Sequence, residues 1–164
     1  MEDLQRILVA AMSTKYCRKA VHYGISLAKK YNAELHVLHV IHDPFGLKGW
    51  NLPIPSLPVL EKEYVQMFED ARAELSEIIE SEKDTGLQIK ETVIGLPIKE
   101  TVVAGLPSKK IFEIIEQEKI DLLVMISYEE GLLEHWLFGH IKDRITRKMP
   151  CSVLLVRKEI GKDI

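Results

Sequence analysis

An α/β fold built on a parallel sheet follows from three features of this sequence. Ile7-Leu8-Val9-Ala10-Ala11, Asp121-Leu122-Leu123-Val124-Met125-Ile126 and Ser152-Val153-Leu154-Leu155-Val156 are short, nearly continuous apolar runs. Such runs suit strands covered on both faces, as parallel strands are. Longer segments between them repeat their apolar residues at helical spacing. Strands alternating with helices in this way imply right-handed βαβ crossovers and a parallel sheet.

The elements follow in order. After the first run, Ser13 or Thr14 can cap a helix, along which Cys17, Ala20, Val21, Gly24, Ile25 and Ala28 repeat. Tyr31-Asn32-Ala33 ends it. Glu34 to Ile41 alternates, then turns apolar, and reads as a second strand. Residues 42–58 form a Pro-rich insertion: Pro44, Pro53, Pro55 and Pro58 with Gly46 and Gly49 exclude regular structure. Yet Phe45, Leu47, Trp50, Leu52, Ile54 and Leu57 are too apolar for a disordered segment. The insertion either folds back over the sheet edge or works as a lid or partner-binding loop.

The next helix carries one apolar stripe: Leu60, Tyr64, Met67, Phe68, Ala71, Leu75, Ile78 and Ile79. Thr85-Gly86 stops it. A local repeat comes next. Lys90-Glu91-Thr92-Val93-Ile94-Gly95-Leu96-Pro97 is echoed by Lys99-Glu100-Thr101-Val102-Val103-Ala104-Gly105-Leu106-Pro107. Each copy reads as a strand and a turn. A small duplication that adds an edge strand or hairpin within 88–104 accounts for it. Ser108 then caps a helix carrying Ile111, Phe112, Ile114 and Ile115. The strand at 121–126 follows, then a polar loop at 127–131. Leu133, Trp136, Leu137, Ile141 and Ile145 mark a further helix, which Pro150 ends before the last strand.

Length and composition narrow the function. The 164 residues fit a single domain spanning 1–164. Hydrophobic residues at 46% and charged residues at 29% are an ordinary balance for a protein in water. A net charge of −3 makes no electrostatic case for nucleic acid or anionic lipid. Cys17 and Cys151 make neither a metal pair nor a disulfide framework, so a reducing cytoplasm is expected. The acidic start Met1-Glu2-Asp3 is unlike a secretory signal. No apolar stretch approaches the ~20 residues of a membrane span. In a doubly wound sheet, ligands bind beyond the carboxyl ends of the strands at the topological switch point. Here those ends are 11–14, 40–43 and 126–131.

The order of these motifs resembles the universal stress protein (UspA-like) family. The resemblance is carried by Ile7-Leu8-Val9-Ala10 with Tyr31-Asn32-Ala33-Glu34-Leu35-His36-Val37-Leu38-His39-Val40. Gly105-Leu106-Pro107 leading into Asp121-Leu122-Leu123-Val124-Met125 adds to it, as does Met149-Pro150-Cys151-Ser152-Val153-Leu154-Leu155-Val156-Arg157. It covers nearly the whole chain, apart from the Pro-rich loop and the extra Gly-Leu-Pro copy. It implies a three-layer α/β/α sandwich with a five-stranded parallel core sheet, Rossmann-like and of the adenine-nucleotide alpha hydrolase kind. It also implies a homodimer paired through the last strand, Val153–Val156.

ATP-binding members of that family carry Gly-x-x-Gly, nine residues, then Gly-Ser or Gly-Thr after the fourth core strand. Glycines let the backbone approach phosphates, and N–H groups at a helix start attract their charge. Aligned on Gly139, the earlier glycines fall at Ile126 and Glu129, and the hydroxyl at His140. A carboxylate at Glu129 would repel a triphosphate. The family's acidic residue after the first strand falls at Met12, which cannot bind a ribose hydroxyl. Val40 keeps the place whose backbone meets adenine. If a nucleotide site is retained with an altered loop, its residues are Met12, Val40, Ser127, Gly131, Gly139 and His140, with ATP and Mg as its cofactors; His140 would then hold an anion.

Other constellations are weaker. His36 and His42 share a strand face about 20 Å apart, while His39 faces the other way, so the three cannot hold one metal. His42, His140 and Glu129 offer a remote alternative at the sheet edge. Ser13 and Ser127 lie at strand ends with no G-x-S-x-G elbow and no Asp/His pair, so no catalytic residue is expected. Cys17 and Cys151 read as packed thiols. Trp136-Leu137-Phe138 is either a contact patch or a cover for neighbouring loops; with Trp50, Phe45 and Leu52 it could fill an emptied nucleotide cleft. The first expectation is therefore a non-enzymatic stress-response or regulatory homodimer. It would hold no cofactor or metal and would bind a protein partner. The alternative is an ATP/AMP-binding switch.

Overall fold

The first strand of the chain is its centre. A computed structural model of the protein describes residues 4–11, 14–42, 57–84, 97–127 and 149–157. Its elements are β1 (Arg6–Ala11), α1 (Thr14–Tyr31), β2 (Glu34–His42), α2 (Leu57–Asp84), β3 (Ile98–Gly105), α3 (Pro107–Glu118), β4 (Leu122–Ser127) and β5 (Ser152–Arg157). The five strands form one parallel sheet in the order β3-β2-β1-β4-β5. The expected five-stranded parallel α/β sheet with flanking helices is therefore present.

Period-2 alternation sorts the strand residues into two cores. Ile7, Val9, Ala11, Leu35, Val37, Val124, Ile126 and Val156 pack beneath α1 and α2. Leu8, Ala10, Leu38, Val40, Leu123 and Met125 pack against Ile111 and Ile115 of α3. Both faces of the central strands are thus dry, which is why those strands read as continuous apolar runs.

Asp121 knits the start of the sheet. Its Oδ2 accepts the N–H groups of Gln5 and Arg6 at 2.9 and 2.8 Å. Its own N–H donates to the Arg6 carbonyl, and its carbonyl accepts from Ser152. Three strands are thereby registered at one residue. Asn32 and Lys119 end α1 and α3 in the left-handed conformation, each followed by a residue whose N–H reaches back to a carbonyl of the last helical turn.

Several element boundaries correct the sequence reading. Pro58 does not exclude helix; it lies in the first turn of α2, where the missing N–H would be unpaired anyway. Ser108 does not cap α3. The N-cap is Leu106, without a side-chain cap, and Pro107 opens the helix. The downstream repeat copy forms β3, an edge of the five-stranded sheet. The upstream copy, most of the Pro-rich segment, Ser13, Thr85-Gly86 and the expected helix at 133–145 lie outside the described residues.

The apolar stripe of α2 is not buried throughout. Ala71, Leu75, Ile78 and Ile79 are buried, whereas Met67 is exposed and Phe68 half-buried. The same stripe continues to Glu82, a buried carboxylate gripped by α1: His22 Nδ1 lies 3.1 Å and Arg18 3.8 Å away.

Gly24 sets the depth at which α1 sits on the sheet. A Cβ there would lie 2.3 Å from Val9 Cγ2 and 3.2 Å from Leu35 Cδ1. Alanine in a helix interior gains about 1 kcal/mol over glycine, but overpacking a rigid core costs about 1–3 kcal/mol. Val9 and Leu35 are fully buried and cannot retreat, so the clash wins. Gly24→Ala is expected to lower unfolding stability by up to about 2 kcal/mol, as read by urea denaturation. An unchanged or raised midpoint would show that α1 can lift without loss.

Candidate functional site

The chain order makes one crevice. From β1 it winds outward to β2 and β3, then crosses back to place β4 on the other side of β1. The switch therefore falls between the carboxyl ends of β1 and β4, where loops depart in opposite directions. Register places Ala10 beside Met125 and Ala11 beside His39, so the ends of β2, β1 and β4 lie side by side.

Of the six residues named for a nucleotide site, two fall among the described residues. Val40 lies near the end of β2, in register with Val103, with its side chain buried against α3. Ser127 is the last residue of β4, in register with Arg157. Both are at the carboxyl edge, but β1 separates them, so they stand roughly 10 Å apart by strand spacing. Met12, Gly131, Gly139 and His140 lie outside the described residues, as do Glu129, Trp136-Leu137-Phe138 and the Phe45, Trp50 and Leu52 that were expected to fill the cleft.

Ile126 falls where the family's first phosphate-loop glycine is expected, and it is among the described residues. It is 4% exposed and packs in the α1–α2 core with Ala11 and Val124. A glycine here would leave backbone open to an approaching phosphate. Isoleucine instead fills the space beside β1 with hydrocarbon.

His39 was not singled out as a site residue, and it holds the β1 side of the crevice. Its Nδ1 lies 2.6 Å from the Ala11 carbonyl oxygen. A carbonyl only accepts, so Nδ1 carries the hydrogen. The bond staples the end of β2 to the last carbonyl of β1. No spacing rule in the sequence announces it. His36, three residues earlier, is buried at the opposite end of β2, its Nε2 3.0 Å from a Glu34 carboxylate oxygen but not aligned as a hydrogen bond. Alternation puts His36 and His39 on opposite faces, as the sequence requires. Among the described residues no three His, Cys, Asp or Glu side chains gather as a metal set.

An open groove of about 420 Å³ runs along the first half of α2, lined by Glu63, Gln66, Met67, Asp70, Ala71 and Glu74. Three carboxylates make it a poor place for a phosphate chain. No helix among the described residues is long and apolar enough to cross a membrane.

The cysteines are shielded. Burial pushes the Cys17 thiol up to about 11 and raises that of Cys151, which is half-buried rather than fully packed. At pH 8 about one Cys17 in a thousand is thiolate. Native protein is expected to leave Cys17 unlabelled by iodoacetamide while Cys151 reacts slowly, and both to react once urea unfolds the chain. An unfolded Cys17 releases its proton near 9.0 and the native one near 11. The native state therefore holds more protons in that window, and stability is expected to fall as pH rises from 9 to 11. Rapid labelling of native Cys17 would contradict its burial.

The comparisons with known proteins agree with one another. The family model described as the universal stress protein family matches residues 3–157. Universal stress protein MJ0531 of Methanocaldococcus jannaschii is 24% identical over 157 residues, covering 94% of this chain and 82% of that relative. Among solved structures, universal stress protein UspA from Lactobacillus plantarum superposes with a TM-score of 0.69 at 20% identity, over 96% of this chain and 100% of that one. A universal stress protein described in complex with cAMP superposes with a TM-score of 0.58 at 21% identity, over 96% and 99% of the two chains.

Proposed function

The chain belongs to the universal stress protein family, and from that premise we propose that it is a non-enzymatic stress-response protein that binds a protein partner as a homodimer and holds no adenine nucleotide tightly. The observation that carries this reading is Ile126. Its side chain is buried in the α1–α2 core near the carboxyl end of β4, and aligned on Gly139 it stands where ATP-binding members have the first glycine of their phosphate loop. The sequence points the same way: aligned on the family's motif, Met12 offers no acceptor to a ribose hydroxyl and Glu129 would set a carboxylate against phosphate.

The dimer reading rests on β5. It is the terminal strand of the sheet, and Val153 and Leu155 on one of its faces are 41% and 52% exposed. An uncovered apolar edge strand is a template for a second chain. A two-fold pairing of this edge would cover both residues on each protomer.

A nucleotide-binding switch is the second reading. The cAMP complex of a structural relative favours it, and so does the backbone of Val40, which lies at the carboxyl edge where adenine would be met. The two readings separate in a calorimetric titration of nucleotide-stripped protein with MgATP. The first predicts no heat at millimolar ATP, and a low-micromolar dissociation constant would replace it with the second. Sedimentation tests the dimer independently. The wild-type chain is expected to sediment as a dimer at micromolar concentration and Leu155→Glu as a monomer; a monomeric wild type would remove the β5 pairing.

A further inference from the structure

The duplicated segment supplies a second copy of one strand of the sheet. β3 begins Ile98-Lys99-Glu100-Thr101-Val102-Val103, and nine residues upstream the chain reads Ile89-Lys90-Glu91-Thr92-Val93-Ile94. The two hexapeptides differ by a single methylene, Val103 against Ile94. Whatever pairs with one copy can pair with the other in the same register.

The contacts of β3 show how complete the match is. Ile98 and Val102 pack against the α1–α2 core, and Val103 packs against the α3 core. Lys99 donates to Glu118 of α3, and that hydrogen bond holds the Glu118 carboxyl below its usual range. The Ser76 hydroxyl of α2 donates to Glu100. Ile89, Val93, Ile94, Lys90 and Glu91 reproduce each of these groups at the matching position. No proline falls within 89–96, so the backbone donors are also matched.

Connection lengths permit the exchange. At present the thirteen residues 85–97 join α2 to β3, and Leu106 alone joins β3 to α3. With the upstream copy in place, the four residues 85–88 would join α2 to the strand, and the ten residues 97–106 would lead to α3. Four residues is an ordinary connection between a helix and a strand. The chain shortened on one side is lengthened on the other, and loop entropy changes only slowly with length. β3 is a terminal strand with β2 as its hydrogen-bonded neighbour, so it can leave without opening the sheet's centre.

We propose that β3 is an exchangeable edge strand, with residues 89–96 and 98–105 as alternative occupants of the same register against β2. The exchange changes what pairs with the end of β2. Ile41 and His42 now face Ala104 and Gly105; in the alternative they face Gly95 and Leu96. Gly105, at φ 144, favours the present register, because Leu96 cannot hold that angle without strain. Of the two registers, the present one is therefore preferred.

Three variants test this by thermal unfolding of the full chain: Val93→Asp, Val102→Asp and the double. Each single variant leaves one intact copy, so each is expected to lose under about 5 °C in Tm, and the double about 10 °C or more. Equal losses in Val102→Asp and the double, large or small, would overturn the proposal. Carbodiimide coupling reads the register directly. Wild type is expected to yield a Lys99–Glu118 link, and Val102→Asp a Lys90–Glu118 link instead. Retention of the Lys99–Glu118 link in folded Val102→Asp would also overturn it.

Discussion

β1 must be dry on both faces and paired on both edges, and the rest of the molecule is arranged to achieve that. Ile7, Leu8, Val9, Ala10 and Ala11 are all buried. α1 and α2 cover one face and α3 covers part of the other. β2 and β4 occupy the two edges. A parallel neighbour cannot be supplied by a tight hairpin, so each edge of β1 requires a crossover through a helix. The outward winding to β2 and β3 and the return to β4 follow from this. The switch crevice is a by-product of the same requirement: the chain leaves β1 toward β2 and leaves β4 toward β5, on opposite sides.

What fills that crevice decides what the scaffold can do. In a nucleotide-binding version, backbone would line it and phosphate charge would meet N–H groups. Here Ala11 and Ile126 are buried in the α1–α2 core near that edge, and His39 is bonded to the Ala11 carbonyl. Ile126 adds apolar contact there that a residue without a side chain would not.

The strands were legible because each has the pattern that its position demands. Ile7 to Ala11 and Leu123 to Ile126 are buried on both faces and unbroken, whereas β3 at the edge mixes Lys99, Glu100 and Thr101 with valines. Helix starts were less legible. Proline reads as a breaker at Pro58 and Pro107, yet both lie in first turns, and only the chain before them distinguishes the cases. Glu82 had a signal that charge concealed: Leu75, Ile78, Ile79 and Glu82 share one helical stripe, so its burial was written in the spacing. His39 had no such signal, because its partner is a backbone carbonyl brought near by strand register alone. Of the candidate site, Val40 and Ser127 were placed by their strands; Met12, Gly131, Gly139 and His140 lie outside the described residues.

The clamp at Asp121 has a consequence for how the chain is made. The Asp121 carboxylate that fixes the start of β1 is 115 and 116 residues away in sequence. During synthesis β1, α1 and β2 emerge early, but the β4 edge of β1 has no partner until most of the polypeptide has left the ribosome. At the usual pace of translation that interval lasts several seconds. Throughout it, the most apolar strand of the nascent chain presents an open ladder of backbone donors and acceptors. Burial of the mature centre is therefore bought with a vulnerable beginning, in which β1 stays open on one edge until β4 is made.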